Sequence, residues 1–357
     1  MVENNGRDEK EESSQIKRSP SSPQGAPKKR SAFGDITNSL PCFRFLLLPP
    51  PASSRSLNRV PSEDPPAAPS DPAVKEDLVK SDESSWKAEE PEVLVTPIED
   101  IDKGQLDDPY ANAEYAKDIF IYMREREEKF QLPDYMENQP DITTDMRAIL
   151  VDWMVEVQLM DHYLVKVTSM RDKLQLIGCT AILIASKFEE RCPPCVDDFL
   201  YICDDAYKRE ELLAMEISIL QTLHFDINIP IAYRFLRRFA KCAHANMETL
   251  TLARFICELT LQEYDFVQES ASHLAASCLL LALKMKKLGG WNPTLEYYSG
   301  YKAEDLPALV KRLNFLLTYS HDQRLKAVRS KYAHRVFFEV AKMAPMDMME
   351  LEEALKS

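Results

Sequence analysis

The sequence predicts an all-α protein, two helical bundles in tandem behind a disordered N-terminal tail. Three observations carry this. From residue 109 onward, apolar side chains recur at three- and four-residue spacings, the period of an amphipathic helix, and no stretch alternates convincingly with a period of two. Only eight Gly interrupt the 357 residues. Finally, residues 177–187 (IGCTAILIASK) align without gaps on residues 274–284 (LAASCLLLALK), at an offset of 97. A helix that is apolar on all sides is one buried among others, so each copy marks the centre of its own bundle. Chance alignment of two Ala/Leu-rich helices is the alternative. Against it, the same offset sets Asp161 on Glu258 and Leu164 on Leu261.

Composition bounds the rest. The chain is 45% hydrophobic, enough for one large or two ordinary domains plus a tail. A net charge of −14 gives no whole-chain basic surface for nucleic acid. Residues 1–62 hold ten Lys/Arg against six Asp/Glu, whereas residues 63–108 hold four against fifteen. Both stretches lack periodicity and bury too little to offset chain entropy, so 1–108 is expected to be disordered. No apolar run approaches a membrane span, since Phe45–Leu48 meets Pro49, Pro50 and Pro51 at once. An acidic opening is wrong for a secretory signal, and eight scattered Cys read as reduced thiols of an intracellular protein.

The helices follow in order. Tyr115, Ile119, Tyr122, Met123 and Phe130 define one over 112–129. Thr143, Thr144 and Asp145 supply polar caps for a helix opening at Met146. Further segments are expected at 171–190, started by Asp172, and at 195–204 and 208–223. The Ile229-Pro230 step opens 231–244, and 247–267, 272–286, 294–298, 305–320 and 325–340 complete the pattern.

Residues 146–158, MRAILVDWMVEVQ, resemble the signature helix of the cyclin box in the form used by B-type mitotic cyclins. The resemblance covers about 109–345 and implies tandem cyclin-box helical bundles of five helices each, an N-terminal box over 109–228 and a C-terminal box over 229–345, with 346–357 a C-terminal tail. Five shared positions are recognisable: Arg147, Asp161, Leu164, Lys187 and Glu216. From Arg147 to Asp161, however, the spacing is 14. That is about fifteen residues, some four helical turns, short of the family pattern. The loss falls near 158–159, so residues 155–164 read as one continuous helix, with room for a single helix between Thr144 and Thr168. Some four lost core side chains would remove roughly 6–12 kcal/mol of burial, comparable to the whole stability of a domain. The first box is therefore expected to be destabilised or repacked.

In cyclins, the residues matching Lys187 and Glu216 hydrogen-bond the backbone of a kinase near its regulatory helix, swinging that helix inward to complete the ATP site. The alternative is a purely internal ion pair. Tyr110 resembles another kinase-contacting position. Met146, Ile149, Leu150, Trp153, Glu156, Leu174 and Gln175 match the patch that grips basic-hydrophobic substrate motifs, although such a stripe also suits plain core. Arg147, Asp161 and Leu164 would be structural. In the tail, Arg30, Phe33, Ile36 and Asn38 resemble a destruction box with Phe in the usual Leu place, a variant similar to the third B-type subfamily. Lys17-Arg18 with Lys28-Lys29-Arg30 resembles a two-part nuclear import signal.

The resemblance thus implies a nuclear regulatory subunit of a cyclin-dependent kinase in mitosis or meiosis, destroyed by ubiquitin-mediated proteolysis. Its partners would be the kinase catalytic subunit, kinase substrates and the ubiquitin ligase of mitotic exit, with no nucleic acid or membrane. A non-activating scaffold isoform is one alternative; a cyclin-fold transcription-factor-like adaptor, disfavoured by the acidic balance, is another. No cofactor or metal is expected. Cys192-Pro-Pro-Cys195, even with Cys203 nearby, lacks the four ligands of a structural zinc site. No phosphate-cradling Gly loop, nucleophile elbow or HExxH pair is present, which argues against an enzyme.

Overall fold

The computed structural model describes residues 98–108, 111–154, 157–318 and 324–356, apart from the Trp153 side chain. Among them all regular structure is helical, with no strand. Helix α1 (Ala113–Lys129) precedes a first bundle of α2 (Thr144–Trp153), α3 (Gln158–Lys166), α4 (Arg171–Glu189), α5 (Val196–Ile202) and α6 (Arg209–Thr222). The second bundle is α7 (Ala232–Cys242), α8 (Met247–Gln262), α9 (Ala271–Met285), α10 (Pro293–Ser299) and α11 (Pro307–Thr318). Helices α12 (Ala327–Tyr332) and α13 (Met348–Lys356) close the chain.

The two repeat segments occupy the places their composition demands. Every side chain from 174 to 186 in α4 is buried, and α9 is buried from Leu274 through Leu283. Local chemistry starts the neighbouring helices. Thr143 Oγ1 accepts from Met146 N at 3.2 Å to open α2, and Asn246 Oδ1 accepts from Thr249 N at 2.9 Å to open α8. Pro293 sits in the first turn of α10 behind an Asn292 cap.

The expectation of one continuous helix through 155–164 is overturned. Helix α2 stops at Trp153, Met154 is extended (φ −103°, ψ 156°), and α3 starts at Gln158, so two helices stand where one was expected. The reason is the pairing of Arg147 with Asp161. In a continuous helix these residues would lie about 21 Å apart at 1.5 Å per residue, yet their side chains meet at 2.7 Å. Only a reversal closes that gap. Met154 also leaves the helix to bury its side chain against Gly178 of α4, where there is no room for a Cβ. The hairpin is shortened, to helices of ten and nine residues, but it is retained.

Three boundaries also move. Residues 98–108, expected to be disordered, form an ordered strap, with Ile101 buried in the core of the second bundle and Asp102 paired with Arg238; the rest of the tail lies outside the described residues. Beyond 346 the chain is not a loose tail: α13 buries Leu351, Lys311 pairs with Glu352 at 2.6 Å, and Asn314 bonds the Met346 backbone in both directions. The helix expected over 325–340 ends at Tyr332 and gives way to two 3-10 turns, Arg335–Phe337 and Val340–Lys342, separated by left-handed backbone at Phe338 and Glu339 (φ 55° and 54°).

Candidate functional site

Lys187 is the first exposed residue after the buried run of α4, and its ammonium lies 2.6 Å from Glu216 Oε1 on α6. Their side chains are 45% and 14% exposed. An ammonium has three N–H donors, so one contact to Glu216 leaves capacity for two more acceptors, while the second carboxylate oxygen accepts further. Near the pair in sequence, Phe188 follows Lys187, Leu213 lies one helical turn before Glu216 and Ile217 follows it, all three exposed, while Glu189 pairs with Arg234 at 3.2 Å. On α1, Tyr115, Ile119 and Tyr122 are also exposed. Sequence patterning assigned the α1 residues to an amphipathic helix and passed over Phe188, Leu213 and Ile217. Periodicity marks a stripe as apolar; it cannot say which stripe stays uncovered.

The structural positions assemble into a buried cluster. Arg147 donates to Asp161 through Nε (2.8 Å) and one terminal nitrogen (2.7 Å), and through the other to the Leu261 carbonyl of α8 (2.9 Å). Tyr135 donates its hydroxyl to Asp161 Oδ1 at 2.5 Å, a participant the sequence did not suggest. Burial pushes the Tyr135 hydroxyl pKa far up, with the Asp161 charge adding to it. Burial alone would lower the Arg147 pKa; the charge and hydrogen bonds of Asp161 outweigh it and raise it. Leu164 is buried, and its carbonyl accepts from Gln139 at 2.7 Å. The second bundle echoes the motif: Glu258, at the position equivalent to Asp161, accepts from Arg254 (2.9 Å), Lys331 (2.7 Å) and Tyr332 (2.7 Å).

The patch residues divide. Met146 and Ile149 are partly exposed on α2, whereas Leu150, Leu174 and Gln175 are buried beneath them. The Trp153 side chain, Glu156, Tyr110 and the tail residues Arg30, Phe33, Ile36 and Asn38 lie outside the described residues, as do the basic tail clusters. Beside the patch, Asp152 accepts from Lys326 N (3.2 Å) and Ala327 N (2.9 Å) and from Gln262, tying the end of α2 to α12 and α8. Cys192 and Cys195 are exposed and Cys203 is buried; among the described residues no cluster of His, Cys, Asp or Glu could hold a metal ion. No helix among them is long and apolar enough to cross a membrane.

Comparison with known proteins shows the family. The family profile "Cyclin, C-terminal domain" matches residues 230–346. "Cyclin, N-terminal domain" matches in two pieces, 118–159 and 157–228, which meet where the hairpin is shortened. G2/mitotic-specific cyclin-B3 of Gallus gallus is 65% identical over 387 aligned positions, covering 98% of this chain and 93% of that protein. That span exceeds the 357 residues here, so the relative carries stretches with no counterpart in this chain. The cyclin-B3 of Canis lupus familiaris is 63% identical over 76% of this chain, and that of Homo sapiens 60% over 73%; the chain spans only 21% of each of those two proteins. A solved viral cyclin from herpesvirus saimiri superposes with a TM-score of 0.45 at 22% identity, covering 62% of this chain and 99% of that one. With both cyclin domains present in order, and near-complete coverage by a B3 relative, the chain belongs to the G2/mitotic-specific B-type cyclins, in the B3 group.

Proposed function

We propose that this mitotic cyclin is the regulatory subunit of a cyclin-dependent serine/threonine kinase and that its shortened first box keeps that competence. Cyclins are regulatory and not catalytic, so the function resides in a docking surface. The observation that carries the proposal is the Lys187–Glu216 pair, held at 2.6 Å, with Phe188, Leu213 and Ile217 exposed on the same two helices. Backbone carbonyls and amides of the kinase would bond the spare capacity of the two groups, and the apolar rim would cover the regulatory helix, moving its Glu toward the ATP-binding Lys. The α2 patch would hold basic-hydrophobic substrate motifs on the partly exposed Met146 and Ile149. Nuclear residence and ubiquitin-dependent destruction through Arg30, Phe33, Ile36 and Asn38 belong to the same proposal.

The test is co-purification with a kinase catalytic subunit, followed by phosphotransfer to a peptide. An exposed ion pair contributes about 0–1 kcal/mol to folding, so Lys187→Ala and Glu216→Ala should abolish kinase retention with little change in melting. Retention unchanged in both variants would leave only an internal ion pair. A second reading, a non-activating scaffold, is favoured by the short α2 and α3. If this chain fails to activate the kinase while a version with the hairpin lengthened succeeds, the scaffold reading replaces ours.

A further inference from the structure

The strap that precedes α1 is anchored more firmly than a linker needs to be. Asp102 receives both terminal nitrogens of Arg238 at 2.5 Å each and the Lys241 ammonium at 3.0 Å. The Arg238 side chain is 5% exposed, its Nε is buried with no acceptor, and its guanidinium lies over the rings of Phe120 (5.1 Å) and Tyr298 (5.0 Å). Lys241 also holds Gln105 at 2.7 Å, Glu99 pairs with His244 at 2.8 Å, and Ile101 is buried. Phe120 is the telling neighbour, because it belongs to α1 and packs edge-on to Phe235 of α7 at 6.0 Å. The C-terminal half of α1 has polar anchors of its own, Arg124 and Glu127 on Ser272, and Arg126 on the Asn228 carbonyl. The N-terminal half, which exposes Tyr115 and Ile119, is held by the buried Ala116, by a long Lys117–Tyr297 hydrogen bond of 3.5 Å, and by Phe120 packing on Phe235 and on the Arg238 guanidinium.

We infer that Asp102 is a positioning residue for kinase docking: by neutralising Arg238 it keeps that guanidinium stacked under Phe120 and so fixes the presenting half of α1. The inference rests on the proposed kinase-docking function. Without Asp102 the buried guanidinium would seek water, since an unpaired buried charge is costly, and Phe120 would keep Phe235 but lose its cationic partner. Asp102 touches no kinase itself.

The experiment compares the full chain with Asp102→Asn, Asp102→Glu and Lys187→Ala, measuring affinity for a kinase catalytic subunit and hydrogen exchange of α1. Asp102→Asn should weaken the kinase about tenfold, as expected if α1 is docked in one molecule in ten. It should speed exchange in α1 while α4 and α9 stay protected, and Asp102→Glu should restore both. If Lys187→Ala weakens binding but Asp102→Asn leaves affinity and α1 exchange unchanged, the positioning role is overturned and the docking proposal stands. If Lys187→Ala has no effect either, the docking proposal itself falls. Global loss of protection in Asp102→Asn, unrescued by Glu, would make the strap a folding element and also overturn the inference.

Discussion

The buried pair of Arg147 and Asp161 should be the most sensitive point of the first box. In Asp161→Ala, the Arg147 guanidinium stays in place with its side chain 2% exposed, still bonded to the Leu261 carbonyl but stripped of both carboxylate contacts, and Tyr135 loses its acceptor. Removing one member of such a pair costs about 3–5 kcal/mol, because the remaining charge is desolvated without a partner. Against about 5–15 kcal/mol of total stability, that is a large share. For a body of this size it lowers the midpoint by roughly 6–20 °C. Differential scanning calorimetry of the purified full chain measures it. Replacing both members with apolar residues, Arg147→Met with Asp161→Leu, should recover most of the loss, since neither charge is then buried alone. A drop below about 1 kcal/mol in Asp161→Ala, the level of an exposed ion pair, would refute the reasoning and mean that water reaches the cluster. A double variant as unstable as the single one would assign the cost to packing instead.

Three other expectations follow from the structure. Burial depresses the His162 pKa from its ordinary 6.5 to about 4, with Asp161 opposing and Lys166 assisting. The unfolded chain therefore takes up this proton first as pH falls, and stability should drop by about 2 kcal/mol between pH 7 and pH 5. Urea titrations should show that slope flatten in His162→Phe. In Gly178→Ala, the new methyl would meet Met154 Sδ at 2.6 Å and Leu150 Cδ2 at 2.9 Å, so the ends of two buried side chains must shift. A loss of about 1–3 kcal/mol is expected, with weaker binding of a basic-hydrophobic peptide at the α2 patch. Lys287 holds a left-handed φ of 55° at the end of α9, where Leu288 N bonds the Leu283 carbonyl at 2.9 Å. Gly there removes a steric cost, so Lys287→Gly should raise stability by about 0.5–1 kcal/mol in the same titrations.

Much of the architecture was legible because period and composition are local properties. The all-apolar segments at 177–187 and 274–284 could only be bundle centres, and α4 and α9 bury them. The continuous helix expected across 155–164 failed for a nonlocal reason. Helical propensity through VEVQLMDHYL has nothing against it locally; the break comes from Arg147 meeting Asp161 and from Met154 reaching Gly178. The strap at 98–108 escaped notice because its acidic composition resembles that of a solvated tail. What orders it is Arg238, more than 130 residues away in the sequence.

The sequence by itself determined the helical class, the repeat, the family and the place where the first box is shortened. Each of these rests on residue type and spacing along the chain. Tertiary structure alone decided that the shortened hairpin still turns back on itself, that Lys187 and Glu216 meet at the surface, and that the tail is pinned where it enters the body. Those outcomes depend on which buried charge finds which partner, and a buried charge is costly enough to bend the chain until one is found.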